Sequence, residues 1–133
     1  ALHAIQHLLR SAFLAALLLA CGPRPQPPAS HVEGDEALFV RLGGQRAVAT
    51  LASDWAAQAG GQQPGAQLAE LVCAVASGPC DAPAVARRWR AQNLAQDRVA
   101  ELLRSLEQTL ARCHIAVPER DELLRGVRSL LLP

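Results

Sequence analysis

The chain reads as one small all-α domain behind an N-terminal segment that stands apart from it. Three observations carry that reading. After residue 35, apolar residues recur every three or four positions, the spacing of a helix with one buried face. No stretch alternates with period two, as a half-buried strand does. Glycine and proline clusters separate the apolar stretches, where turns belong. The 133 residues are 50% hydrophobic, 3% aromatic and 19% charged. That length suits a single domain, and the composition is too apolar for disorder. All 13 basic residues are Arg, and 12 acidic residues oppose them. A net charge of +1 excludes a protein that holds nucleic acid by bulk charge.

The elements follow in order. Asp35 suits an N-cap before a helical turn at Glu36–Phe39, which Leu42-Gly43-Gly44 breaks. Val48, Leu51, Ala52 and Trp55 then mark an amphipathic helix over 45–58. Gly60 to Gly65 is a loop. Leu68, Leu71, Val72 and Val75 mark the next helix, stopped by Ser77-Gly78-Pro79. Pro83 suits a first turn, and Val85 with Trp89 mark a short helix. Val99, Leu102, Leu103, Leu106, Leu110 and Cys113 form the longest stripe. Pro118 opens the last helix, acidic at its start and basic toward its end, as the helix dipole favours. Leu123, Leu124, Val127 and Leu130 are its apolar face.

Residues 1–21 read differently. Arg10 precedes an unbroken apolar run from Ala12 to Ala20. That run is too short for a spanning helix, which needs about 20 residues. It matches the core of a secretory signal peptide. Leu18-Leu19-Ala20-Cys21 resembles a bacterial lipobox. The resemblance implies that Cys21 is lipidated and anchors the chain to a membrane of the bacterial cell envelope, facing the periplasm or the exterior. Prolines 23, 25, 27 and 28 make residues 22–34 an extended, semi-rigid spacer. The folded domain is then 35–133.

Within that domain, Ala37-Leu38-Phe39-Val40-Arg41-Leu42-Gly43-Gly44 resembles the opening of a truncated haemoglobin. Leu71 to Cys80, with its Ser77-Gly78-Pro79 stop, resembles the end of that family's distal helix. Val117-Pro118-Glu119 into Leu123-Leu124 resembles the start of its last helix. The resemblance covers about 36–131. It implies a two-over-two helical globin sandwich and a bound haem that takes ligands such as oxygen. Carried over residue by residue, it places Trp55 and Ala56 where the family has its distal aromatic pair. Trp89 falls where the family has the His that holds iron. An indole has no lone pair for a metal, and no His lies between His31 and His114. Haem is otherwise held by Cys, Met or Tyr, and the chain has no Met and no Tyr. The expectation is a degenerate, haem-free domain with a structural or partner-binding role and an unidentified protein partner. The alternative is an oxygen-binding globin with a non-standard axial ligand.

Other chemistry is sparse. His114 reads as a surface or capping residue. With Cys21 given to lipid, Cys73–Cys80 and Cys80–Cys113 are open as pairings, as are free thiols; Cys73 also reads as a small buried hydrophobe. No paired Cys or His spacing suggests a metal. Asp54 and Glu70 read as isolated carboxylates. No triad pattern, nucleophile elbow or Gly-rich phosphate loop suggests an enzyme. Arg87-Arg88-Trp89-Arg90 reads as a solvated helix face with Trp89 turned inward, or as a contact for anionic headgroups.

Overall fold

The computed structural model describes Cys21 and residues 36–132. Among the described residues there are six helices and no strand. They are α1 Leu38–Arg41, α2 Gly44–Gln58, α3 Gly65–Val75, α4 Ala82–Ala91, α5 Gln96–Arg112 and α6 Val117–Leu131. The all-α expectation is met, and each apolar stripe lies on a helix. One start differs. α1 begins at Leu38 with Ala37 as N-cap, and Asp35 lies outside the described residues. Residues 1–20, read as part of a signal peptide, and residues 22–34, read as a spacer, lie outside them as well. No helix among the described residues is long and apolar enough to cross a membrane.

Local chemistry sets the helix ends. The Asp81 carboxylate accepts from the Ala84 N–H at 3.1 Å, and a proline occupies the first turn of α4. This leaves one fewer unsatisfied donor at the helix start. α6 also has a proline in its first turn, with Glu119 there and Arg128 in the last. Between α1 and α2, Gly43 and Gly44 have φ of 110° and 79°. A residue with a β-carbon is strained in that region, so the tight corner calls for glycine. α2 and α3 end in Gly60 and Ser77, with φ of 81° and 60°. α4 and α5 end in Asn93 and His114, with φ of 50° and 55°. The Gly78 N–H bonds back to Cys73 O at 2.9 Å, and the Ile115 N–H to Leu110 O at 3.0 Å. Both are the closing bond of a left-handed helix cap. His114 is exposed and serves as such a cap residue, as expected.

α2 packs against α3 and α5, and α6 against α3, α4 and α5. α4 also rests on α3, and α1 wedges against α2 and α6. The expected stripes meet at the centre. Leu102, Leu106 and Leu110 of α5 are fully buried, as are Trp55 of α2 and Leu123 and Val127 of α6. Each such side chain contributes about 1.5–3 kcal/mol of hydrophobic burial. α1 is held at both ends of its short span. The Phe39 N–H donates to Ala76 O at 2.9 Å. Arg41 reaches Glu122 at 2.6 Å and Glu119 at 3.1 Å on α6. The hydrogen bond to Glu122, then that to Glu119, raises the Arg41 guanidinium above its ordinary pKa against the desolvation of burial. As pH rises, this contribution is lost only in strong alkali, on passing through the raised Arg41 value. The pairs are partly exposed, which limits each to about 1 kcal/mol or less.

Candidate functional site

The first candidate is the set of positions at which the resemblance places a haem pocket. Trp55 is 0% exposed. Its indole N–H is shared between Leu102 O at 3.1 Å and Ser105 Oγ at 3.0 Å. Ser105 Oγ–H itself donates to Leu102 O at 2.9 Å. That donor is satisfied, so the ring is fixed between α2 and α5. Ala56, half-buried beside the core, offers a methyl group. Trp89 is 3% exposed and joins the same hydrophobic cluster. None of the three offers a metal a lone pair. The residues at these positions do not fit a haem held through the family's ligand. They are filled by close-packed apolar surface instead.

The second candidate was not visible in the sequence. Cys21 and Cys113 form a disulfide across 92 residues, with Cα atoms 5.3 Å apart. Cys113 is the C-cap of α5. Beside the two sulfurs lies Asp54 of α2. Its Oδ2 is 2.9 Å from Cys21 Sγ and 3.6 Å from Cys113 Sγ. One ligand-type atom from each residue falls within 4.8 Å of the other two. Asp54 is therefore not isolated, as its sequence neighbours suggested. Glu70 is not isolated either, since it pairs with Arg88 at 2.8 Å on the exposed surface. Cys113 was expected to continue the α5 stripe, and at 5% exposed it does. Its sulfur also faces out of the stripe toward Cys21.

The remaining cysteines pair with each other. Cys73 and Cys80 form a disulfide with Cα atoms 6.3 Å apart. Of the pairings left open, this one is present and Cys80–Cys113 is not. Cys73 is a half-buried cystine half and not simply a small hydrophobe. For Cys21, a sulfur in a disulfide has no bond left for a thioether. The lipid and the cystine are thus exclusive fates of one atom. Arg87, Arg88 and Arg90 are exposed and Trp89 faces inward, which is the solvated-face reading of that cluster. No signal in spacing joins residues 21, 54 and 113. The only hint was a carboxylate flanking the apolar stripe of α2.

Comparison with family models, curated proteins and solved structures finds no match for this chain.

Proposed function

We propose that this chain is a haem-free domain of truncated-haemoglobin type, with the two-over-two arrangement of that fold, and that its role is structural or partner-binding. The observation that carries the reading is the satisfied, fully buried Trp55 indole, with Trp89 packed into the same core. The packing of α2 with α3, of α5 with α6, and of each pair on the other supports the two-over-two arrangement. The lipobox-like Leu18–Cys21 and the proline spacer support export and a lipid tether at a membrane of the bacterial cell envelope. In chains so anchored, Cys113 is left as a thiol. This reading assigns the domain no enzymatic step.

Titrating the purified chain with haemin tests the first part. The expected result is no stable Soret band at one haem per chain. A stoichiometric band would overturn the haem-free reading in favour of a globin with an unusual axial ligand. Mass spectrometry of the envelope-bound chain tests the tether. A diacylglyceryl group on Cys21 is expected, and Cys21 found only as a cystine removes the tether while leaving the haem-free reading intact.

A further inference from the structure

Among the described residues, the Asp54 carboxylate meets no cation and no N–H; its polar partners are the two sulfurs. A cystine sulfur has no proton to offer it, whereas a thiol does. The carboxylate thus complements the reduced pair and not the oxidised one. Cys21 is half-buried at the edge of the core, and Cys113 is 5% exposed beneath it. The pair therefore has an accessible member and a sheltered one.

We propose that, in chains whose Cys21 carries no lipid, Cys21, Cys113 and Asp54 form a thiol–disulfide exchange site whose co-substrate is a low-molecular-weight disulfide. The Cys21 thiol gives its proton to the Asp54 carboxylate. The thiolate attacks one sulfur of the co-substrate, whose S–S bond breaks. This leaves a mixed disulfide on Cys21, and the expelled thiolate takes up the proton. The Cys113 thiol then loses its proton to Asp54 in the same way and attacks the Cys21 sulfur. The second thiolate leaves and is protonated. Two thiols of the chain are oxidised to one disulfide, and one external disulfide is reduced to two thiols. Closure pins Cys21 to the end of α5, 92 residues along the chain. Excess external thiol reverses it. The inference goes beyond the haem-free reading and does not depend on it.

The full chain, produced without lipid and fully reduced, is mixed with oxidised glutathione from mildly acidic to mildly alkaline pH. Alkylation at successive times and mass spectrometry then follow each pair separately. Cys21–Cys113 is expected to close. Asp54→Asn should slow its closing at least about 10-fold near neutral pH, a threshold set below the roughly 100- to 10,000-fold that a positioned proton acceptor contributes. The deficit shrinks as pH rises and thiolates form without help. Asp54→Glu restores part of the rate. The Cys73–Cys80 pair, whose local loop spans 7 residues, is the internal reference and keeps its rate. Three outcomes overturn the proposal: an unchanged rate in Asp54→Asn, an equal slowing of both pairs, or the absence of a Cys21–Cys113 bond. Haemin binding bears on none of these, so the two readings fail separately.

Discussion

Asp54 and Trp55 are consecutive residues of α2 with opposite surroundings. Trp55 points into the interior, where its ring is buried and its N–H meets two acceptors on α5. Asp54 points to the far end of α5, half-buried, toward two sulfurs that as a cystine give it no proton. Successive helix positions differ by about 100°, so one turn of backbone serves two different regions. The Trp55 region resembles an organic crystal, closed and satisfied. The Asp54 region is half-buried, and among the described residues a reduced pair would give its carboxylate a proton donor that the cystine does not. The first region holds the fold, and the second is the one to which the thiol–disulfide exchange is proposed.

The largest test of that division is Trp55→Ala. It should cost about 3–5 kcal/mol, the range for a large aromatic removed from a core. Urea unfolding followed by circular dichroism reads it, and a loss below about 1 kcal/mol would mean that the interior is not organised around this ring. Gly126→Ala comes next. A β-carbon at Gly126 would overlap the Val75 side chain where α6 crosses α3, and a helical valine has little freedom to turn away. About 1–3 kcal/mol should be lost, although alanine favours helix over glycine by about 1 kcal/mol. A gain in thermal midpoint would instead show a loose α3–α6 contact. His114→Gly should act in the opposite direction. It relieves a left-handed residue at the cap beside Cys113 and should stabilise by about 1 kcal/mol. An unchanged thermal midpoint would mean that the cap carries no strain. Asp54→Asn should have the smallest effect on stability, within about 0.5 kcal/mol, because its neighbour Trp55 and not Asp54 holds α2 to α5. A large loss of stability there would blur the distinction between the two regions.

Much of the fold was legible in advance because helices are local. The stripes Val48–Trp55, Leu68–Val75, Val99–Leu110 and Leu123–Leu130 lie on α2, α3, α5 and α6. The stops at Leu42-Gly43-Gly44 and Ser77-Gly78-Pro79 fall at helix ends. The first helix is the instructive departure. Its N-cap, Ala37, makes no side-chain cap bond, and the Phe39 N–H docks onto Ala76 O, a contact far along the chain. The site was far less legible. Trp55 and Trp89, read from the apolar spacing as helix-face residues, are buried in the core, but Asp54 was read as an isolated carboxylate, and Cys113 as part of the apolar stripe or a partner of Cys80.

By itself, then, the sequence determined where the helices run and which face of each is buried. Those properties depend on residue type and on a period of 3.6 positions, both of which are local. The tertiary structure alone decided that Cys113 pairs with Cys21, that Cys73 pairs with Cys80, and that Asp54 lies against the first pair. Positions 21, 54 and 113 share no periodicity. They meet because α2 packs on α5 and because the end of α5 lies where Cys21 comes to rest.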